Sequence, residues 1–296
     1  MSRFRFIDAE KADYPVSLLC RVLKVSRSGY YVWRERPPSK RSVEDSAFTA
    51  RIREVHERSR RTYGYPRVHA ELNASGLRCG RRRVARLMRK VGLRGCMRGR
   101  RRRSTTRRDG NAVPAPDLVV DRRFLAAFPD RLWLADITYV PTREGFLYLS
   151  FILDACSRKV VGWSMDNHLR TELVTDALRM ALWRRRPPPG VVHHSDRGSQ
   201  YTALSFGECL KEAGVFPSMG RVGSALDNAM AESFVSTLKA EMATAPRPFP
   251  TREAARTAVF EYIEGFYNPT RRHSSIGYMS PADYERANFV EKVRVA

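Results

Sequence analysis

Paired cysteines, long apolar runs and, over its first third, acidic residues are what this 296-residue chain is short of. The five cysteines stand at 20, 79, 96, 156 and 209, with no C-x-x-C among them. That scatter excludes a disulfide scaffold or a zinc ribbon and predicts reduced thiols in a cytoplasmic protein. No stretch approaches the roughly 18 apolar residues of a membrane span, so no membrane association is expected. The opening MSRFRFIDAEKADYP lacks the apolar centre of a secretory signal. Internal repeats and a sustained heptad pattern are also missing. What remains is 43% hydrophobic and 10% aromatic, enough to build a sizeable core.

The scarcity of acids is local. Residues 1–110 hold 31 Lys and Arg against 10 Asp and Glu, whereas residues 111–296 hold 23 against 21. Nearly all of the net charge of +23 therefore sits in the first part. Segregated positive charge marks a segment that meets a polyanion, with nucleic acid the leading candidate. The extreme case is RGCMRGRRRRSTTRR, Arg94 to Arg108, suited to phosphate contact as a flexible, solvated tail.

Helical spacing fills the same basic part. Residues 1–45 read as an N-terminal helical segment, with PVSLLCRVLKV a helix and SRSGYYVWRER a turn and a short helix. Residues 46–98 begin with an amphipathic helix over 47–58, broken by YGYP; RVHAELNASG and RRRVARLMRKVGLRG follow as helices around a Gly-containing turn. That order is a helix-turn-helix, whose second helix enters the major groove. Arg81, Arg82, Arg83, Arg86 and Arg89 are its candidate DNA contacts; Val84, Leu87, Met88 and Val91 can face a small core. A plain helical packing module with a solvated basic face would read alike. Residues 99–120 form a basic linker ending in NAVPAPDLVV, where two prolines preclude a helix.

Residues 121–285 change to α/β character, followed by a tail at 286–296. DRLWLADITYV, GFLYLSFILDACS and RKVVGWSMD read as strands and TELVTDALRMALWRR as a helix. VVHHSD and VFPSMG read as short strands around the helix FGECLKEAG, and SALDNAMAESFVSTLKAEM and TREAARTAVFEYIEGFYN close as helices. The predicted order is βββαβαβαα, a mixed sheet with flanking helices like the ribonuclease-H-like fold.

Three acids fall where chemistry is usually placed. Asp136 lies inside an apolar strand, where an acid is costly unless paired or metal-bound. Asp196 ends VVHHSD, next to Gly198, and Glu232 follows on a helix after 35 intervening residues. Hard carboxylate oxygens can hold divalent ions for phosphoryl transfer. Each acid also has a plainer reading: Asp136 beside a buried Arg, Glu232 as a solvated helix acid. HHSDRGSQYT looks like a hydrolase triad, but successive strand residues point to opposite faces, so its Ser, His and Asp cannot converge. The same alternation separates His193 from His194, and no third ligand supports a zinc or iron site.

WLADITYV, HHSDRGSQYT and DNAMAESFVSTLK together resemble the three catalytic blocks of the DDE transposase and retroviral integrase superfamily, with its 35-residue gap between second and third acids. FYNPTRRHSSIGYMSPADYE is similar to the closing signature of bacterial transposases of insertion sequence family three, second reading frame, and YGYPRVHAELN with its basic helix resembles that group's helix-turn-helix. The resemblance implies that Asp136, Asp196 and Glu232 are catalytic and hold Mg²⁺ or Mn²⁺, two ions in the active complex. It implies that Lys239, seven residues after Glu232, contacts DNA near the site and that Asn228 supports Glu232. His194, Gln200 and Tyr201 complete the second block around the acids or on DNA. Tyr267, Asn268, Arg271, Arg272 and His273 match the closing signature, without a role that the residues reveal. The implied activity is cleavage and strand transfer at element ends, by attack of water or a DNA 3′-OH on a phosphodiester. The implied partners are double-stranded DNA (terminal repeats and target), the upstream-frame product as fusion or partner, and further copies of the chain on DNA. Bound to DNA, such a protein would associate with the nucleoid. The His and Cys zinc module of retroviral integrases is absent, so DNA is read differently here. A regulatory copy that grips DNA without cutting it, or a nuclease acting on RNA–DNA hybrids, would share parts of this pattern.

Overall fold

The computed structural model describes residues 2–96, 126–196, 198–220, 229–244 and 248–290. The linker expected at 99–120, most of the arginine run before it, and Asn228 lie outside these. Met1–Glu54 and Val55–Ala296 form two compact units.

In the first unit, α1 (Arg3–Glu10), α2 (Val16–Val22) and α3 (Arg27–Glu35) bury Ile7, Leu19, Cys20 and Tyr30 together. The periodicity of the sequence does not announce α1, because Ile7 is its one buried residue; Ser2 caps it by accepting from the Arg5 amide. α4 (Lys40–Arg58) starts seven residues before the helix expected at 47–58. Ser39, just after Pro37 and Pro38, supplies the earlier start by accepting from the Ser42 amide at 3.2 Å.

The second unit carries α5 (Tyr65–Ala74), entered through Gly64 with proline in its first turn, and α6 (Arg81–Lys90). Val68 and Leu72 of α5 and Val84, Leu87 and Met88 of α6 are buried. Arg81, Arg82, Arg86 and Arg89 are exposed, and Arg83 is half-buried. This is the expected helix-turn-helix with its basic face in solvent.

The remaining strands form one sheet of order β3-β2-β1-β4-β5. β1 (Leu132–Thr142), β2 (Gly145–Asp154) and β3 (Val160–Asp166) run antiparallel in sequence, while β4 (Val192–Ser195) and β5 (Phe216–Met219) add parallel to β1. With the helices that follow, this is the ribonuclease-H-like arrangement predicted above. α7 (Thr171–Arg185) and α8 (Leu204–Glu212) cover one face through Val174, Ala177, Leu178, Ala181, Phe206 and Leu210, packed on Trp133, Ala135, Ile152 and Val161. Gly162 lets α7 lie directly on β3: a Cβ there would stand 2.2 Å from the Ala177 carbonyl. α9 (Ala229–Glu241) covers the other face, where Met230 meets Leu132 and Leu134 and Phe234 meets Phe151 at 4.6 Å. The helix expected over SALDNAMAESFVSTLKAEM is described from Ala229 onward, its first five residues lying outside the described ones, and a 3₁₀ turn at Met242–Thr244 follows it. α10 (Arg252–Tyr262) runs into a π-helical turn, Ile263–Tyr267, and α11 (Pro281–Glu285) into another, Arg286–Val290.

Candidate active site

The sheet register brings the first two acids together. β1 pairs with β4 only over Leu132–Leu134, with Leu134 opposite His194. Asp136 stands two residues further along β1, and Asp196 two residues beyond His194, just past the carboxyl end of β4. Adjacent strands lie about 4.8 Å apart. β4 ends at Ser195, so Asp196 sits just past the strand on backbone that has left the ladder. The third acid arrives through α9. Asp136 is opposite Phe151, and Phe151 packs on Phe234, two residues beyond Glu232 on that helix.

The electrostatics record this convergence. Burial, then the charge of Asp196, then that of Glu232 push the Asp136 carboxyl up to about 7, against the Ile137 amide and Lys239, which favour its ionised form. The described hydrogen bond to Asp136 is that of the Ile137 amide, 2.8 Å from Oδ1. Burial also raises the Asp196 carboxyl, opposed by the Gly198 amide 3.0 Å from Oδ1. The lack of a side chain at Gly198 leaves room for these groups, since a Cβ would stand 3.1 Å from Asp196 Oδ1 and 3.2 Å from Gln200 Oε1. Lys239 holds its ammonium 4.5 Å from the centre of the Tyr139 ring. Among the described residues no arginine pairs with Asp136, and no three His, Cys, Asp or Glu side chains are grouped so that they could hold a metal ion as they stand.

Asp154, at the end of β2, is the instructive contrast. It is also an acid in an apolar strand and fully buried. Its Oδ1 accepts from the Cys156 and Ser157 amides and the Ser157 hydroxyl, and its Oδ2 from the Asp130 amide. That carboxylate is spent on holding a turn. Asp136 has oxygen lone pairs left for a ligand.

The rest of HHSDRGSQYT divides by face. His193 packs against Tyr201 and Phe206, and burial holds its imidazole down to about 4, so it is neutral at physiological pH. His194 turns to the opposite face, its Nδ1 2.9 Å from the Ser218 hydroxyl on β5. Tyr201 is buried within the fields of Asp136 and Asp196. The Gln200 amide donates to the Leu169 carbonyl at 2.9 Å, bracing the loop after Asp196.

The closing signature acquires a role that the sequence did not reveal. Arg271 makes two hydrogen bonds to Glu241, whose carboxylate also accepts from the Tyr262 hydroxyl. Asn268 pairs with both backbone groups of Val160 where the β2–β3 ladder is irregular. Tyr267 packs edge-on against Phe234 of α9 and against His273. Arg272 binds Glu71 of α5, and its amide donates to the Tyr63 hydroxyl. Arg67 of α5 donates to the Arg272 carbonyl at 2.9 Å. The signature therefore ties α9 and β3 to the helix-turn-helix. Glu241, Glu71, Arg67 and Tyr63 are partners that sequence reasoning missed.

An acid-lined sheet edge beside a basic helix-turn-helix defines the class, and comparison with known proteins agrees. Residues 126–225 and 213–281 match models of the integrase core domain, and residues 43–101 match an HTH-like domain. The chain is thus a DNA-binding transposase with an integrase catalytic core. It is 43% identical over 266 residues to the insertion element IS600 uncharacterized 31 kDa protein of Shigella sonnei, covering 90% of this chain and 97% of that one. It is 38% identical to the transposase InsF for insertion sequence IS3A of Escherichia coli, covering 97% and 99%. The chain belongs to insertion sequence family three, as a second-reading-frame transposase. Among solved structures, the simian T-cell lymphotropic virus intasome in complex with PP2A regulatory subunit B56 gamma is 13% identical, with a TM-score of 0.46, over 81% of this chain and 76% of that one.

Proposed function

We propose that this transposase cuts and joins DNA at element ends through Asp136, Asp196 and Glu232. The observation that carries the reading is the coupling at Asp136, whose carboxyl feels both other acids in a half-buried setting. Such a group repels a proton-free neighbour and welcomes a cation. Three carboxylates are an all-oxygen, hard donor set that fits Mg²⁺ or Mn²⁺, with two ions in the active complex. The bound ions would supply Lewis acidity at the scissile phosphate and lower the pKa of the attacking water or 3′-OH.

The chain's own residues do the rest. Asp136 holds one side of the cation site from β1 and Asp196 from the backbone just past β4, and Glu232 closes it from α9. Gly198 fixes the Asp196 rotamer through its amide. Lys239 offsets negative charge beside the acids and presents a cation to a DNA phosphate. His193, kept neutral by burial, packs the floor of the site. His194, Gln200 and Tyr201 position the second block, and Asn228 supports Glu232. Residues 46–98 read DNA through Arg81, Arg82, Arg83, Arg86 and Arg89. Residues 121–285 are the catalytic core, 1–45 a separate helical segment, 99–120 a linker and 286–296 a tail. The substrates are duplex DNA of the terminal repeats and of the target. The upstream-frame product, fused or as a partner, and further copies of the chain complete the assembly on nucleoid DNA.

The test uses duplex oligonucleotides carrying the element's end, with Mg²⁺. Asp136→Asn, Asp196→Asn and Glu232→Gln should each abolish cleavage and joining while DNA affinity persists. Wild-type rates in any one of them would remove that acid from the mechanism.

A further inference from the structure

An aromatic row lies on the β1–β2 hairpin. Tyr139 is on β1, three residues beyond Asp136, and is 41% exposed; Phe146, across the hairpin on β2, is 48% exposed. Their ring centres are 4.9 Å apart, and Tyr148 continues the row 6.3 Å from Phe146. Exposing two large rings side by side is costly in water, and neither serves the described core. The hairpin that carries them is stiff. Thr142 Oγ1 donates to the Gly145 carbonyl at 2.6 Å, and Arg252 Nε donates to the Phe146 carbonyl at 3.3 Å. Lys239 links the row to the acids: its ammonium sits over the Tyr139 ring, and its charge reaches Asp136.

We propose that Tyr139 and Phe146 form a stacking platform for an unpaired nucleobase of the DNA strand whose phosphodiester is presented to the three acids. The inference rests on the DNA-cutting reading above. Its occupant follows from the surroundings. The Tyr139 and Phe146 ring planes are inclined at 54°, so each offers its own π face; an exposed π face beside a cation matches a base and the phosphate next to it, as in proteins that bind single strands. The base must be unpaired, because a duplex hides base faces in its own stack. A strand end at the cleavage site supplies such a base. Stacking tolerates any base, so the platform fixes the position of the end and leaves its sequence to be read elsewhere. Lys239 already covers part of Tyr139, so the more exposed Phe146 ring offers the larger open face to the ligand.

The experiment compares binding of two 12-nucleotide single strands, oligo(dT) and the same backbone made abasic, in EDTA. Both carry the same phosphates, so charge attraction cancels in the ratio. The wild type should prefer oligo(dT) by about tenfold, the scale of one stacked base. Tyr139→Ala and Phe146→Ala should each bring the ratio close to one, while Tyr139→Phe, which keeps the ring, preserves it. Trp183→Ala, an exposed ring on α7, should leave the ratio unchanged. A wild type without preference, or an unchanged ratio in both alanine variants, overturns the platform. Asp136→Asn separates the two readings. If it loses cleavage and keeps the ratio, both stand; if it cleaves normally, the catalytic assignment fails whatever the oligonucleotides show.

Discussion

Arg271 and Glu241 form a bidentate pair with both hydrogen bonds at 2.7 Å, and the side chains are only 2% and 4% exposed. The pair stands where the closing segment meets α9, the helix of Glu232 and Lys239. Hydrogen bonds and charge from Glu241 outweigh burial and hold the guanidinium firmly protonated.

Removing one partner of a buried pair strands the other charge. Arg271→Ala should therefore destabilise the protein by about 3–5 kcal/mol, read as a shift in the urea midpoint. Pairing Arg271→Met with Glu241→Leu should recover only part of the loss, because the buried Tyr262 hydroxyl and Arg67 then lose the same carboxylate. A single substitution costing under about 1 kcal/mol would mean that water replaces the lost partner.

The sequence carried much of this molecule, for reasons that can be located. Apolar runs such as RLWLADITYV and GFLYLSFILD read as buried strands, as they are, and the 35-residue interval between Asp196 and Glu232 matches the spacing expected of the second and third acids. Other features depend on register and distance. Nothing in the spelling of the chain aligns Asp136 with Asp196; the pairing of Leu134 with His194 does. Nothing separates Asp136 from Asp154, since both sit in apolar strands, until the four donors around Asp154 are seen. Glu241 is 30 residues from Arg271, beyond any local pattern. The start of α4 lay in the cap at Ser39, ahead of the hydrophobic periodicity.

That contrast between the two strand acids predicts opposite effects of the same substitution. Asp154→Asn exchanges a carboxylate that satisfies four donors for an amide that clashes with one of them, so it should lower the urea midpoint by about 1–3 kcal/mol. Asp136→Asn removes a carboxylate that burial and two neighbouring acids disfavour, so the metal-free protein should become more stable. If both variants lost stability equally, Asp136 would be a structural acid.

The Asp136 effect should depend on pH in a defined direction. Its carboxyl lies at about 7 in the folded chain against an ordinary 3.8. Between those values the folded state holds a proton that the unfolded state has released, so stability falls as pH rises from about 4 to about 7. Below that window the penalty is absent, and above it the penalty is complete. In EDTA, Asp136→Asn should thus exceed the wild type in urea midpoint at pH 8 and match it near pH 4. Mg²⁺ should raise the wild-type midpoint at pH 8 and leave that of Asp136→Asn much less changed. A stability gap that ignores pH would contradict the coupling.

DNA binding by α6 should show its origin in salt. Arg82 and Arg89 are exposed and stand seven residues apart on one helix, about two turns. If each meets a phosphate, alanine at either should weaken binding to every duplex alike and reduce the slope of log K against log salt by about 1. If either instead reads a base edge, its loss should cost about 1–3 kcal/mol on the terminal repeat and little on unrelated DNA. Point variants suit this test better than removal of the basic region, because Glu71 and Arg67 of α5 anchor Arg272, and deletion would strip that contact from the core. Unchanged affinity and slope in both variants would move the DNA contact off this helix.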